Sequence, residues 1–379
     1  MNEKIAMKER NYSMDILRII SMMMIITLHL FTYSNINKYI ETLSVNYFIR
    51  DILKSICIVS VNCYILISGY FGEKTSFKAS KLVEMLIGVV YYSIIIYTVC
   101  LLTNKIKFDN HDLINVFLPT LSREYWFVTC YVGLYIMSPI LKKIFQRFSQ
   151  KEMFISLIIG FLLFVLYYNF FFFCDNLNFG GATGIVWFSY IYMCGMYIKK
   201  YVKKTDKRKN IKYYLISLLG AMASKIPFII VYLMTKNDIF LKSVNIFDGV
   251  YNSIFVFICS LTFFNIFSNF EIKPNSINKF LINFFAKTSF SVYLIHDNKF
   301  FRNTLWGFWS FSKMSSIKLI ITVIFIVGSV YLTCSFIDVI KQSIFKYTVS
   351  SEKIKLKIDK VCLNIESRGE KKIAKFFKK

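Results

Sequence analysis

His29 is one of only three histidines in 379 residues, and it stands inside an otherwise apolar run. The run opens Met14-Asp15-Ile16-Leu17-Arg18 and continues mostly as methionine and isoleucine to His29. A neutral imidazole can take a proton from a hydroxyl near physiological pH, which makes His29 a candidate general base. The alternative is a core histidine whose ring nitrogens are satisfied by neighbours. Arg18 lies eleven positions earlier. At roughly 100° and 1.5 Å per residue, Arg18 and His29 project from one helix face about 16 Å apart. Arg18 is either a snorkelling anchor at a membrane boundary or a cation that meets negative charge on a substrate. Lys225, in Ser224-Lys225-Ile226-Pro227, is another charge within an apolar run. It is either a snorkelling lysine in a helix loosened by Pro227 or a contact for an anionic substrate group.

The elements that carry these residues follow from composition. Hydrophobic residues make up 56% of the chain, above the roughly 45–50% usual for soluble domains. The excess falls in blocks of about 20 residues, the length that crosses a bilayer as a helix. Hydropathy places spans at roughly residues 14–33, 51–71, 82–103, 124–141, 153–174, 182–201, 212–235, 248–270, 281–297 and 317–340. The expected fold is an all-α integral membrane protein, a polytopic bundle of about ten transmembrane helices. The fourth and ninth spans are short and carry polar residues. The first block is too long for a cleavable signal and lacks a small-residue cleavage site, so it is expected to be the first span.

The formal charge of +25 invites a nucleic-acid partner, but no nucleic-acid module is recognisable and none is expected. The basic residues sit in every second loop: Lys4, Lys8 and Arg10; Lys74, Lys78 and Lys81; Lys142, Lys143, Arg147 and Lys151; and a dense group from Lys199 to Lys212. The segment from Asp175 to Gly181 has none. Cytoplasmic loops retain positive charge, so both termini are expected in the cytoplasm of a multi-pass cell (plasma) membrane protein. Residues 1–340 are expected to form the membrane domain. Residues 341–379 are expected to form a basic cytoplasmic tail, solvated or resting on anionic lipid. The nine cysteines are scattered, with no C-x-x-C pair, and read as small apolar core residues, so no disulfide framework and no metal site is expected.

Several short motifs recur in a definite order. Asp15, Arg18 and His29 share the first span. Ser68-Gly69-Tyr70-Phe71 closes the second as a turn. Trp126-Phe127 is followed by Tyr131 and Pro139, and Tyr293-Leu294-Ile295-His296 comes near the last spans. This order resembles the membrane-bound acyltransferases known as acyltransferase family 3, over about residues 11 to 340. The segments Tyr125–Leu141 and Ser291–Asn298 are most similar to the branch that acetylates exopolysaccharide and other cell-envelope glycans. The resemblance implies an O-acetyltransferase with acetyl-CoA as acyl donor and a glycan or lipid-linked sugar as acceptor. His29 would be the base, with Asp15 and Arg18 beside it in the catalytic set. Arg18 would also orient the donor or neutralise its charge. The family tends to have two arginines three apart at the start of the third span; this chain has Lys78 and Lys81, which would meet coenzyme A phosphates as point charges. Tyr70, and Ile19, Ile20 and Ser21, also depart from the family pattern. Trp126, Tyr293, His296, Asp297 and Lys225 are the candidate acceptor contacts, although His296 and Asp297 are equally readable as a helix-end cap. Some members carry an extra extracellular esterase-like domain; this chain is expected to transfer directly or to pass the acyl group to a partner. The competing function is a transporter of lipid-linked sugars or small acids, against which stands the lack of a repeat between the two halves. A structural membrane subunit is the third.

Overall fold

Asn11 starts the first helix: its side chain accepts the Met14 N–H, one of the orphan donors at a helix start. A run free of glycine and proline then carries α1 from Tyr12–Tyr33. The computed structural model describes residues 10–73, 77–122, 124–171 and 182–376, and among them no strand occurs. After α1 come α2 (Val45–Cys57), α3 (Ser60–Gly72), α4 (Ala79–Leu102), α5 (Asn110–Phe117) and α6 (Trp126–Arg147). There follow α7 (Gln150–Phe170), which holds a π-helical stretch at Leu162–Tyr167, and α8 (Ile185–Tyr201). The rest are α9 (Lys207–Ala223), α10 (Ile226–Thr235), α11 (Ile254–Ser268), α12 (Ser276–His296), α13 (Lys299–Gly307), α14 (Ser316–Tyr347) and α15 (Glu352–Phe376).

Among the described residues seven helical segments are long and apolar enough to cross a membrane: α1, α2 with α3, α4, α6, α7, α9 with α10, and α14. Each of the ten expected spans falls on a helix, but three of those helices do not qualify. α8 and α11 have 17 and 15 residues, and α12 is diluted by Asn278, Lys279, Asn283 and Lys287. The expected end of the fifth span and the segment 175–181 lie outside the described residues.

α1 is the central strut. It packs against α2, α3, α11, α12, α13 and α14. Its Met14, Leu17 and Met24 join one apolar core with α3, α6, α8 and α11. Its Met22, Ile25, Ile26, Leu30 and Phe31 join a second core with α4, α12 and α14. Apolar side chains pointing away from both cores, such as Leu219, Phe325 and Phe336, are exposed, as a lipid-facing surface requires. Ser68 to Phe71 lies inside α3 and is not the turn expected from the sequence. Gly69 serves packing instead: a Cβ there would sit 2.0 Å from the Tyr192 carbonyl oxygen of α8. Helices within lipid gain nothing from hydrophobic exclusion between them, so close approach and polar contacts hold them together. Asn62 supplies one such contact. Its Nδ2 donates to the Tyr251 carbonyl (2.8 Å), and its Oδ1 accepts from Trp187 Nε1 (3.1 Å), tying α3 to α8 and to the start of α11.

The tail is tied down. The boundary expected at residue 340 falls inside α14, which runs on to Tyr347. α15 then docks on the start of α4: Asp359 accepts from the Ser80 N–H (2.8 Å) and hydroxyl (2.9 Å), and Lys355 pairs with Glu84 at 2.7 Å.

Pro227 breaks the seventh expected span as its ring chemistry demands. A proline clashes with the carbonyl four residues back, here Ala223, and α9 ends there. Lys225 sits in the break and is 4% exposed. Its ammonium lies 2.6 Å from Asp51 Oδ2, 2.8 Å from Asp248 Oδ2 and 2.8 Å from Asn245 Oδ1. Lys225 is therefore a tie between α2, the α9–α10 break and the segment before α11, not the acceptor contact expected from the sequence. Lys225→Met strands two buried carboxylates and is expected to cost about 3–5 kcal/mol. The thermal midpoint in detergent should fall, and adding Asp51→Asn and Asp248→Asn should recover much of it.

Candidate active site

Two cavities enter the bundle along α1. The one at its N-terminal end, about 550 Å³, is lined by Arg18, Ser68, Lys81, Tyr131, Lys142 and Lys143, among others. The one along its C-terminal half, about 590 Å³, is lined by Arg18, His29, Tyr64, Trp126, Tyr251 and Tyr293, among others. Arg18, Ser68, Met85 and Tyr131 line both, so the cavities meet at that ring. Arg18 and His29 therefore face one space, the outcome their shared helix face predicts.

Asp15 fixes Arg18. It is 3% exposed, and its two carboxylate oxygens lie 2.7 Å from Arg18 Nη1 and 2.5 Å from Arg10 Nε. It lines neither cavity and acts through Arg18 as a positioning residue. The Tyr64 hydroxyl donates to the Arg18 carbonyl at 2.9 Å and sets the register of α3 on α1. Ser68 Oγ and the Tyr131 hydroxyl, 3.1 Å apart, close the ring where the cavities join.

His29 is held from α12. Its Nδ1 lies 3.0 Å from His296 Nε2, and His296 Nδ1 lies 2.6 Å from the Val292 carbonyl oxygen. A carbonyl only accepts, so His296 Nδ1 carries the proton there. In the neutral pair His296 Nε2 is then an acceptor, and His29 must donate from Nδ1. That assignment follows from the hydrogen-bond network. It leaves the lone pair of His29 Nε2 outside that contact, on a residue that lines the cavity. Asp297 Oδ1 lies 3.7 Å from His29 Nδ1 and 3.7 Å from Arg302 Nε. Arg302 also lies over the Tyr33 ring, 4.4 Å from its centroid. The α12–α13 corner that carries Asp297 is fixed by Tyr125, whose hydroxyl donates to the Leu294 carbonyl (2.9 Å) and accepts from Asn298 (2.7 Å).

The other sequence candidates divide. Trp126 and Tyr293 line the His29 cavity. His296 and Asp297 stand behind His29 and hold it. Lys81 lines the other cavity, but Lys78 does not. Lys78 precedes the first turn of α4, its backbone N–H and carbonyl bond the Tyr135 hydroxyl, and its side chain points outward. Lys142 and Lys143 take the place expected for it. In the sequence they count only as loop charges, because nothing local shows that the end of α6 turns toward the cavity. Arg302 and Tyr33 carry no sequence signal beyond their closeness to Asp297 and His29.

A helical membrane bundle with a histidine and an arginine lining one cavity that adjoins a second fits a membrane-bound transferase. A family model described as an acyltransferase domain matches residues 11–338. The chain belongs to that family, acyltransferase family 3, and is a membrane acyltransferase. No curated protein and no solved structure matches the chain. The match includes the central strut, both core clusters and the His29–His296 contact, and it leaves α15 outside.

His296→Leu removes the acceptor for His29 Nδ1–H, at a cost of about 1–3 kcal/mol, which is roughly a 5- to 150-fold fall in kcat. His296→Gln, whose side-chain carbonyl can accept that proton, should retain most of kcat. Initial rates of acyl transfer separate the two variants.

Proposed function

We propose that the chain moves an acetyl group from cytoplasmic acetyl-CoA to a hydroxyl of a cell-surface or lipid-linked glycan, in the cell membrane with both termini cytoplasmic. The observation that carries this is the convergence of Arg18 and His29 on one cavity, with His29 Nδ1 engaged by His296. Lys81, Lys142 and Lys143 give the other cavity a basic mouth suited to coenzyme A phosphates. The pantetheine arm would pass the ring of Arg18, Ser68 and Tyr131 and bring the thioester toward His29.

His29 Nε2 takes the proton of the acceptor hydroxyl as its oxygen attacks the thioester carbonyl carbon. The tetrahedral intermediate collapses with cleavage of the carbon–sulfur bond. The coenzyme A thiolate leaves and takes the proton back from His29. The transient imidazolium is attracted by Asp297, 3.7 Å away. Arg18 supplies positive charge on the donor side. The stacked Trp126 and Tyr251 rings, with centroids 5.7 Å apart, offer a flat apolar wall for a sugar ring.

Expression in a host without glycan acetylation, with the glycan of the native host supplied, tests this. NMR of the wild type should show ester-linked acetyl groups. His29→Ala should lower them by about 10²- to 10⁴-fold, the range of a general base; full acetylation by a stable, membrane-inserted variant would overturn the assignment. Charge reversal at Lys81 and Lys143 should raise KM severalfold for acetyl-CoA, and not for a short acetyl-pantetheine thioester that lacks the nucleotide phosphates.

A further inference from the structure

Lys54 is the cation of the His29 cavity that the mechanism leaves unused. It lines that cavity together with Gly249 and Tyr251. α3 and α2 run back along α1 from the bond between the Tyr64 hydroxyl and the Arg18 carbonyl. Lys54, ten residues before Tyr64, therefore lies toward the His29 end and away from the donor mouth.

The charges around it do not balance: Asp51 and Asp248 are two carboxylates against the three cations Lys54, Lys225 and Arg50, which leaves one positive charge over. The carboxylates on its side of the bundle are Asp51, one turn back on α2, and Asp248. Both lie in direct contact with Lys225, at 2.6 Å and 2.8 Å, and reach Lys54 only by longer-range attraction. Arg50, the third cation there, lies over the Tyr47 ring, 4.4 Å from the centroid. Among the described residues Lys54 has no ion pair, and no aspartate or glutamate lines the cavity. A cation kept without a partner at membrane depth is costly, and such a group marks a place where a ligand supplies the opposite charge. Beside it stand the stacked Trp126 and Tyr251 rings. One cavity thus presents a histidine, a flat aromatic wall and a lysine without an ion pair, beside a cluster with one positive charge in excess.

We propose that Lys54 binds an oxyanion on the acceptor, so that the chain acylates an acidic glycan and not a neutral one. The oxyanion is a sugar carboxylate or a phosphate, held close to the hydroxyl that His29 deprotonates. This rests on the acyltransfer to a glycan set out above.

The test uses the full chain in its native host, fed radiolabelled acetate, with envelope glycans separated by anion exchange. His29-dependent label is expected in the acidic fraction. Lys54→Met should lower that label by about tenfold or more, the cost of losing one charge-assisted contact, at equal membrane levels of protein. Lys54→Arg, which keeps the charge, should retain most of it. Retention on the exchanger that vanishes at about pH 2 assigns the anion to a carboxylate, and retention that persists assigns it to phosphate. His29-dependent label in the neutral fraction would overturn the acidic acceptor and leave the acyltransferase standing. Acidic-fraction label that Lys54→Met does not change would overturn the role of Lys54. No His29-dependent label in any fraction would overturn the glycan acyltransfer itself, and this inference with it.

Discussion

The contact between His29 on α1 and His296 on α12 is the constraint around which the bundle is organised. A base on a membrane helix is useful only if one ring nitrogen is committed and the other is free. Here the commitment runs from His29 Nδ1 to His296 Nε2 and on to the Val292 carbonyl. That chain needs α12 to end where it does, with His296 in its last turn and Asp297 as its cap. The end is fixed in turn by Tyr125 and Asn298 from outside the helix. The central position of α1, with a face in each apolar core, follows from the same demand: its polar residues must meet partners on several helices at once.

Ionisable groups elsewhere in the bundle follow a different rule. Lys225, Asp51 and Asp248 answer one another within hydrogen-bonding distance, and Asp338 is met by the Tyr92 hydroxyl at 2.6 Å and by Lys341 at 3.0 Å. Such groups join helices that hydrophobic exclusion cannot join in lipid. Arg18 and Lys54 differ in facing open space. Arg18 is answered by Asp15 but remains 35% exposed, and Lys54 has no direct ion pair among the described residues. The division between charges that close the structure and charges that face a cavity separates scaffold from site.

Much of this is visible in the sequence, because the membrane makes it so. Apolar blocks of the right length report helices, and eleven positions of spacing report a shared face for Arg18 and His29. What the sequence hides is long-range. Lys225 looks like a stray charge near a proline, and only the fold shows that Asp51 and Asp248, 174 and 23 residues away, meet it. Lys78 and Lys81 look alike on paper, yet the start of α4 at Ala79 puts one outside the first turn and the other in it. Gly69 suggests a turn because glycine often serves turns, whereas its purpose is the closeness of α3 to α8. Of the three helices that fall short of a simple span, α8 and α11 do so by length, and α12 does so by the polar Asn278, Lys279, Asn283 and Lys287.

The choice of a histidine to hold a histidine has a physical logic. A carboxylate bonded directly to His29 Nδ1 would place a permanent negative charge in a low-dielectric site before the reaction begins, and burying it would cost several kcal/mol. A neutral imidazole fixes the same tautomer without that charge. In the proposed reaction the charge is needed only while His29 holds the acceptor proton. Asp297, at 3.7 Å and shared with Arg302, is near enough to favour the imidazolium by Coulomb attraction. Its sharing with Arg302 keeps it compensated at rest. The arrangement separates two tasks that a single aspartate performs in the familiar serine–histidine–aspartate triad: His296 sets the geometry, and Asp297 with Arg302 sets the local field.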